Sequence, residues 1–338
     1  MPSPLDPFRT RLESLPSSDS LSVDKATARD SVLTKPTGAL GRLEELAIWM
    51  SGWQGKHPPS CDRPQIIVFA GNHGVCAQGV SAFPQEVTVQ MVANFEAGGA
   101  AINQLATLFG ASFSIHPLNL DNPTEDFTKT SAMSEIECAE ALQFGWDAVS
   151  GDADILITGE MGIGNTTSAA ALATALFGGS GIDWAGPGTG VPASGVQKKA
   201  AAIDCALTRH AEILSDPLKV LQHLGGREIA AVAGAIIAAR HKNIPVLLDG
   251  FVVCAAAAVL FKFNPHALDH CVAAHVSAEP GHKKMLQHLG KEALLSLGMR
   301  LGEGSGAALA LGIVKGAIAA HNGMASFADA GVSGETGE

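Results

Sequence analysis

Three short apolar runs in the middle of this chain constrain its fold more than any other feature. Each has the length of a β-strand, ends at a glycine or an acidic residue and is followed by a stretch of helical composition: Ile66–Ala70 before Gly71, Ile155–Thr158 before Gly159, and Pro245–Leu248 before Asp249. The segment 229–240 (IAAVAGAIIAAR) predicts a helix, buried on most of its circumference, that leads into the third run. Strands that alternate with helices predict an α/β fold with a parallel sheet covered on both faces. Right-handed crossovers would bring the carboxyl ends of the strands to one edge of that sheet.

The composition indicates a compact globular protein and excludes several classes of partner. Of 338 residues, 46% are hydrophobic and only 16% are charged, a balance that favours a buried core over disorder. The net charge of −11 argues against a nucleic acid as the main partner, because nucleic acids need clustered Lys and Arg. The uncharged apolar stretch 250–261 is too short to span a membrane.

A cytoplasmic location is expected. Residues 1–6 lack a basic region followed by an apolar one, so no signal peptide is predicted. The six cysteines are scattered without a CxxC pair, which is typical of reduced and buried thiols.

Both ends of the chain are predicted to be helical. An amphipathic helix is expected to start near Leu40, after the segment 34–38, and a second helix is expected at Gly306–His321. From the residues alone, it stays open whether these ends pack together as a small helical domain beside the sheet. The tail 333–338 is predicted to be disordered.

The segment 159–167 (GEMGIGNTT), named here the cradle segment, is the strongest indication of a ligand site. A strand is predicted to end in this glycine-rich turn, which opens onto an alanine-rich helix from Ser168. Such a junction directs free backbone N–H groups and the positive end of a helix dipole at one point, where a phosphate can bind. The segment also contains a carboxylate, Glu160, where α/β folds place groups that contact substrate.

Four further glycine-rich segments accompany the cradle segment, and together the five favour a shared ligand cleft over a set of ordinary turns. They lie at 71–74, 186–190, 224–228 and 300–306. None fits the P-loop, which needs Gly-Lys-Ser/Thr, and none has the spacing of the dinucleotide fingerprint. In the last segment Glu303 lies between Gly302 and Gly304. It is either a solvated turn acid or, if desolvated, a general base whose pKa is raised toward neutrality.

The histidines between 266 and 288 raise the question of a metal site. His266 and His270 are four residues apart, but Pro265 precedes them. The glutamate of an HExxH motif is missing, and no cysteine pair is present to complete a set of metal ligands. Helix-surface and capping histidines explain these residues better, so no metal is predicted. Adjacent Lys198 and Lys199 indicate a solvated helix face, although one of them could reach an anionic ligand.

In combination, these segments resemble the nicotinate-nucleotide–dimethylbenzimidazole phosphoribosyltransferase family over residues 34–333. Nine motifs occur in the order of the family: TKPTGALGRLE (34–44), GNHGV (71–75), VSAFPQEVTVQM (80–91), GEMGIGNTT (159–167), GPGTG (186–190), LGGREIAAVAG (224–234), PVLLDGF (245–251), HVSAEPGH (275–282) and LGMRLGEGSGA (297–307). The resemblance implies a Rossmann-like parallel sheet in a large domain of residues 61–304. It also implies a small helical domain of residues 1–60 and 305–338, and a homodimer.

The resemblance further implies an activity in cobalamin biosynthesis. The family transfers phosphoribose from nicotinate mononucleotide to 5,6-dimethylbenzimidazole and releases α-ribazole 5′-phosphate and nicotinate, without a cofactor or metal. The donor's glycosidic nitrogen is a pyridinium, so nicotinate departs without being protonated there, and no general acid is needed. One carboxylate suffices to take the proton from the attacking imidazole. Attack from the face opposite nicotinate inverts the anomeric centre, and alignment of the two substrates supplies much of the rate.

Site residues follow from the resemblance motif by motif. The general base would be Glu303. The other residues would bind substrate: Gly162, Gly164, Asn165 and Thr166 as the phosphate cradle, Glu160 and Asp249 near the ribose and the reacting centre, Lys199 in the active-site region, Gln90 and Leu301 in the benzimidazole pocket, and Phe83 and Ser277 nearby. Phe83 stands where a tyrosine can occur in the family, which removes a hydroxyl and leaves the stacking face.

Two other functions are weighed against this one. A phosphoribosyltransferase that uses phosphoribosyl pyrophosphate would need paired acids in a Thr-Gly-Gly-Thr-like motif and a magnesium site, and the sequence offers neither. A non-catalytic nucleotide-binding or regulatory module could keep the cradle segment. The intact Glu303 argues against it, because a binding module does not need a base at that position.

Overall fold

The structure is a computed structural model that describes residues 2–333. The predicted disorder of the tail therefore concerns residues that lie, apart from Ser333, outside the described part of the chain.

A sheet of six parallel strands forms the centre of the fold. In chain order the strands are β1 (Pro64–Ala70), β2 (Ser112–Pro117), β3 (Ile155–Met161), β4 (Val246–Leu248), β5 (Cys271–His275) and β6 (Ala293–Leu295). Their spatial order is β2-β1-β3-β4-β5-β6. The predicted α/β class and the parallel sheet are confirmed.

Fifteen α-helices are present in residues 2–333. They are α1 (Asp6–Glu13), α2 (Ser20–Asp30), α3 (Arg42–Gln54), α4 (Glu86–Glu96), α5 (Ala101–Phe109), α6 (Glu135–Ala148), α7 (Asn165–Phe177), α8 (Gly181–Trp184), α9 (Ala193–Arg209), α10 (Pro217–Leu224), α11 (Arg227–His241), α12 (Phe251–Phe263), α13 (Pro280–His288), α14 (Ser305–Gly323) and α15 (Phe327–Ala330). Short 3₁₀ helices lie at Gly74–Gln78, Ala211–Ile213 and Pro265–Leu268. None of these helices combines the length and apolar character needed to cross a bilayer.

The two faces of the sheet are both buried, because successive side chains of a strand point to opposite sides. In β1, Ile67 and Phe69 pack with α6, α7, α11 and α12, whereas Ile66 and Val68 pack with α3, α5 and α14. A strand buried on both faces carries a continuous apolar run instead of an alternating one. This explains why the sequence predicted β1, β3 and β4.

The order of the strands places a topological switch point between β1 and β3. The chain moves from β1 to β2 on one side and then returns to β3 on the other. Beyond the last paired residues, the N–H of Gly71 donates a hydrogen bond of 3.0 Å to the Met161 carbonyl. Open α/β sheets bind ligands in the crevice at the carboxyl ends of such strands. The cradle segment begins at this edge.

The junction between β3 and α7 differs from the prediction by three residues at each boundary. The strand continues through Gly159 and Glu160 to Met161 because both residues keep their register with β1, Glu160 opposite Phe69. The helix begins at Asn165 instead of Ser168. The turn between them is therefore only Gly162–Gly164, and Asn165 and Thr166 belong to the first helical turn.

The two ends of the chain meet on one face of the sheet. Helix α3 packs against α14, and the backbones of Leu33 and Ser326 form an isolated antiparallel bridge. Helix α1, by contrast, places Phe8 and Leu12 in the hydrophobic cluster on the opposite face. The domain boundaries near residues 60 and 305 stay a prediction.

Candidate active site

A cleft that is partly open to solvent lies at the carboxyl edge of the sheet above β3, β4 and β5. Its walls come from six segments: Glu160–Ile163, Asn165–Thr166, Gly188–Thr189, Gly250–Val252, His275–Glu279 without Val276 and Ala278, and Arg300–Gly302.

The cradle segment forms one wall of the cleft, where the first turn of α7 begins. Gly164 precedes the helix with φ +94°, a conformation that favours glycine. A Cβ on Gly164 would lie 2.5 Å from Cys76 Sγ, and one on Gly162 would lie 2.6 Å from the Gly71 carbonyl oxygen. These two glycines therefore allow the turn to pack closely against the segment that follows β1. Gly162 also lines the cleft, whereas Gly164 does not.

A buried lysine connects the cradle segment to the adjacent GPGTG turn. Lys199 lies on α9 and is 2% exposed. Its ammonium donates hydrogen bonds to Thr166 Oγ1 at 3.0 Å and to the Gly186 carbonyl at 3.1 Å. Burial lowers the pKa of this ammonium. The structure thus places Lys199 directly behind the cleft wall, with Lys198 exposed beside it.

Arg300 and Glu279 are cleft residues that the sequence analysis did not single out. Arg300 Nη1 donates a hydrogen bond of 2.8 Å to the Gly188 carbonyl, so a guanidinium stands at the cleft beside the GPGTG turn. Glu279 is buried beside the same turn, since a Cβ on Gly186 would lie 2.2 Å from its Oε2. Burial raises the pKa of Glu279. Arg300 lies only three residues before Glu303 in the glycine-rich segment 300–306, and this position in the sequence could have identified it as a site residue.

Glu303 has an unusual backbone that glycines on both sides make possible. Its φ is +64°, between Gly302 at +81° and Gly304 at +78°. A non-glycine residue in this region is strained, and such strain is concentrated at functional sites. A Cβ on Gly159 would lie 2.5 Å from the carbonyl carbon of Glu303. The glycine in β3 therefore lets the Glu303 backbone rest directly on the strand.

Asp249 holds this turn through its two carboxylate oxygens. Oδ2 accepts a hydrogen bond of 3.1 Å from the Gly304 N–H, and Oδ1 accepts one of 2.9 Å from the Ala307 N–H. A carboxylate is favourable at the N-terminus of α14 because it satisfies free N–H groups and faces the positive end of the dipole. Asp249 is fully buried, and neither Asp249 nor Glu303 is among the residues that line the cleft, although Glu303 directly follows the lining residue Gly302. The hydrogen bonds of Asp249 hold the backbone that follows Glu303.

Glu303, Glu160 and Asp249 share this region, and the pKa values of the two glutamates are raised by burial and by neighbouring acids. Burial, reinforced by the charge of Asp249, raises the pKa of Glu303 to about 7. Burial, then Asp249 and Glu228, raises the pKa of Glu160 well above its usual value, although the side-chain amide of Asn165 donates a hydrogen bond to Glu160. Glu303 Oε2 is buried and has no hydrogen-bond partner in residues 2–333. A carboxylate with a free oxygen and a pKa near neutrality has the properties of a general base.

The residues predicted for the acceptor pocket are separated in the structure. Leu301 is 57% exposed and lines the cleft, and Ser277 lines it as a buried residue. Phe83 is 48% exposed in the turn before α4, and Gln90 lies on the exposed face of that helix. Neither of the last two belongs to the cleft walls. Their roles stay predictions.

No group of three or more His, Cys, Asp or Glu side chains is arranged to hold a metal ion within residues 2–333. His266 is a surface residue next to Asp269, and His270 is buried with Nε2 3.1 Å from the Ile236 carbonyl oxygen. His282 accepts a hydrogen bond of 2.8 Å from the Ser277 N–H, and burial lowers its pKa to about 4. These histidines serve packing and local hydrogen bonding in the described structure.

Comparison with known proteins decides the family. A family model described as phosphoribosyltransferase matches residues 15–332. A nicotinate-nucleotide–dimethylbenzimidazole phosphoribosyltransferase of Roseobacter denitrificans is 60% identical over 331 residues, 98% of each chain, and one of Cereibacter sphaeroides is 58% identical over 327 residues, 97% of each chain. The chain belongs to the nicotinate-nucleotide–dimethylbenzimidazole phosphoribosyltransferase family.

A solved structure of this phosphoribosyltransferase family supports the fold. The crystal structure of the enzyme from Thermus thermophilus superimposes with a TM-score of 0.86 at 38% sequence identity, covering 94% of this chain and all of the other. The family, the fold class and the assignment as a phosphoribosyltransferase enzyme, all predicted from the sequence, are confirmed.

Proposed function

We propose that this protein transfers phosphoribose from nicotinate mononucleotide to 5,6-dimethylbenzimidazole or a related base, in a single inverting displacement with Glu303 as general base. The names of the relatives support the substrates. The observation that carries the mechanism is the buried carboxylate of Glu303, whose pKa is about 7 and whose Oε2 has no partner in the described residues.

The donor phosphate would bind between the first turn of α7 and the GPGTG turn. Backbone N–H groups at a helix N-terminus suit a phosphate, and two cations stand close by. Lys199 contacts Thr166 and Gly186, and Arg300 contacts Gly188. The contacts of Lys199 and those of Arg300 lie at the same wall of the cleft. This placement explains how a chain of net charge −11 can attract an anionic substrate.

The chemistry requires one proton acceptor and no proton donor. Nicotinate leaves from a pyridinium nitrogen and departs as a neutral ring with its carboxylate. One imidazole nitrogen of the acceptor attacks C1′, and the N–H on the other nitrogen becomes acidic as the new bond forms. Glu303 would take that proton. Its raised pKa matches this task, because a base with a pKa near the working pH is both ionised and able to hold the proton.

The neighbouring acids would support this step without accepting the proton. Asp249 fixes the turn on which Glu303 stands, through the N–H groups of Gly304 and Ala307. Glu160 is oriented by Asn165 and faces Gly302, whose Cβ position lies 2.5 Å from Glu160 Oε1. Because burial and the nearby acids raise its pKa well above the usual value, Glu160 would act on the ribose through hydrogen bonds instead of through negative charge.

The acceptor ring would bind against Leu301, the exposed apolar residue of the cleft wall two positions before Glu303. Phe83 and Gln90 would complete this pocket once the base is bound. The absence of a hydroxyl at Phe83 leaves an apolar stacking face. We therefore expect benzimidazoles with apolar substituents to be better acceptors than bases with polar substituents.

A direct assay tests the proposed function. Purified protein is mixed with nicotinate mononucleotide and dimethylbenzimidazole in the presence of EDTA, and chromatography is used to detect nicotinate and α-ribazole phosphate. Glu303→Gln is expected to retain donor binding and to lose transfer by about 10²- to 10⁴-fold. A matched control is Glu13→Gln, which changes an exposed glutamate of α1.

Two results would contradict the proposal. Turnover of Glu303→Gln at the wild-type rate would exclude this residue as the base. Donor binding without product from any tested benzimidazole, purine or phenol would instead favour a non-catalytic nucleotide-binding or regulatory module.

A homodimer in the cytoplasm is also proposed, because the family resemblance implies a dimer and the six cysteines are free thiols, as is usual in a reducing compartment. Light scattering on the purified protein tests the dimer, and a single species of monomer mass, 34.6 kDa, would contradict it.

A further inference from the structure

Three fully buried polar side chains form a chain of hydrogen bonds beneath the cradle segment. Ser168 Oγ lies 2.9 Å from His73 Nδ1, and His73 Nε2 lies 2.6 Å from Glu228 Oε1. All three residues are 0% exposed. Burying polar groups and charges costs free energy unless they are paired, so three such side chains together indicate a specific role.

The order Ser–His–Glu resembles that of a nucleophilic triad, but burial excludes this role. A nucleophilic serine must reach a substrate, and Ser168 is enclosed within the second turn of α7. None of the three residues lines the cleft. Any effect of these three side chains on the cleft must therefore pass through the residues that they contact.

The surrounding glycines are needed to make room for this chain. A Cβ on Gly71 would lie 2.3 Å from Glu228 Oε2, and a Cβ on Gly226 would lie 2.3 Å from His73 Cε1. A Cβ on Gly162, the first residue of the cradle turn, would lie 3.1 Å from Glu228 Oε1. Glu228 is therefore in contact with the residues after β1 and after β3 at once.

The hydrogen bonds among these three side chains join three separate elements at the switch point of the sheet. His73 follows β1, Ser168 lies on the helix that begins with the cradle residues, and Glu228 lies in the first turn of α11. The N-terminal position on α11 favours a carboxylate. The backbone carbonyl of His73 also accepts a hydrogen bond from the Gln85 side chain, just before α4. This bond uses the backbone of His73 and not its imidazole, so replacing Glu228 or Ser168 leaves the contact with the segment predicted to bind the acceptor in place.

We propose that Glu228, acting through His73 and Ser168, is a positioning residue that fixes the donor-binding geometry of the cradle segment. The proposal rests on the proposed function, because it assumes that the donor phosphate binds at the first turn of α7. Removing one member leaves a buried partner uncompensated, and the Gly162 turn must then shift to relieve it. A displacement of 1 Å at a binding wall is sufficient to weaken binding and misalign the reacting atoms.

The first test compares two variants that keep the shape of the site. Glu228→Gln keeps the size of the side chain and removes the charge, and Ser168→Ala removes the far end of the chain. A matched control is Thr174→Val, which removes another buried hydroxyl of α7, bonded to the Ala170 carbonyl. We expect KM for nicotinate mononucleotide to rise about tenfold in Glu228→Gln. KM for dimethylbenzimidazole should stay within about twofold, because the acceptor does not bind the displaced turn.

The second test uses a double-mutant cycle at the glycine beside Glu228. Gly71→Ala should raise the donor KM by itself, because its Cβ displaces the Glu228 carboxylate. In a Glu228→Ala background the same substitution should have a much smaller effect, since the group it meets is gone. Residues that act through one contact are non-additive in this way.

The outcomes separate this proposal from the proposed function. Wild-type protein without transfer activity would contradict the proposed function. Active wild-type protein whose Glu228→Gln variant melts at a lower temperature but has an unchanged donor KM would overturn the positioning role. Equal increases in both KM values, or an equal change in Thr174→Val, would also overturn it, because general destabilisation affects both substrates alike.

Discussion

Replacing Glu303 by glutamine should make the protein more stable at pH 8, although it slows transfer by about 10²- to 10⁴-fold. The folded structure raises the pKa of this carboxyl from its ordinary 4.5 to about 7, because burial and the charge of Asp249 both disfavour ionisation. At pH 8 the native protein must carry this charge at a cost. Glutamine keeps the shape of the side chain and removes the charge, so the cost disappears.

The size of the effect follows from the pKa difference. A rise from 4.5 to about 7 corresponds to roughly 3 kcal/mol in the free energy of unfolding. This is an upper limit, because the glutamine amide occupies the place of an oxygen that has no partner in the described residues. For a chain of this length, 1 kcal/mol shifts the melting temperature by about 1.5 °C, so the gain should be at most about 5 °C.

The pH dependence of this gain is the decisive part. A carboxyl whose pKa is raised in the folded state contributes stability below its unfolded pKa and loses it as the pH rises toward the folded value. Glu303 therefore costs stability progressively between pH 4.5 and about 7. The advantage of Glu303→Gln should be below about 1 kcal/mol at pH 5 and reach its full value at pH 8.

Thermal unfolding of both proteins at pH 5 and pH 8, followed by circular dichroism, measures this difference. Glu13→Gln, an exposed substitution in α1, serves as the control and should show no gain at either pH. An equal or lower melting temperature for Glu303→Gln at pH 8, with no pH dependence, would show that ionising Glu303 costs the folded protein no stability.

Three further predictions follow from the same geometry. The rate at limiting substrate should rise tenfold per pH unit below pH 7 and level off above it, because Glu303 must be ionised; a flat profile from pH 5.5 to 8.5 would exclude a base with this pKa. Gly159→Ala should reduce transfer at least about tenfold, since its Cβ would meet the Glu303 backbone at 2.5 Å, whereas Gly316→Ala, in α14 with nothing within 4 Å, should leave the rate unchanged. Lys199→Met should raise the donor KM about tenfold or more and leave the acceptor KM unchanged, because the substitution removes a charged hydrogen-bond donor to Thr166. Calorimetric titration with nicotinate mononucleotide measures the donor affinity, and a wild-type affinity would contradict this prediction.

The sequence predicted the centre of the sheet and missed its edges for a physical reason. Strands β1, β3 and β4 are covered on both faces, so their residues form continuous apolar runs. The edge strand β2 contains two serines and a histidine and is only partly buried. Strand β5 is fully buried but mixes small residues with Cys271 and His275, and β6 has three residues. Such short or mixed segments carry no clear period.

The candidate site shows a similar division. Glu303 could be singled out because glycines flank it, but its pKa depends on Asp249, which is 54 positions earlier in the chain. The contact between Arg300 and the Gly188 carbonyl, 112 positions apart, has no local pattern at all. The sequence alone could not show which of 22 basic residues face the cleft. The chain of Ser168, His73 and Glu228 was missed because its members belong to three elements that only the fold brings together.

In the proposed mechanism, one displacement inverts the anomeric carbon, with the donor held by the cradle segment and Glu303 as the base. Proton NMR of the ribose product formed from nicotinate mononucleotide and dimethylbenzimidazole measures this directly, through the coupling of the anomeric proton. We expect a single α-linked ribazole phosphate from the wild-type protein and about 10²- to 10⁴-fold slower formation of it with Glu303→Gln. A β-linked product, or free ribose 5-phosphate in place of a nucleotide, would contradict it.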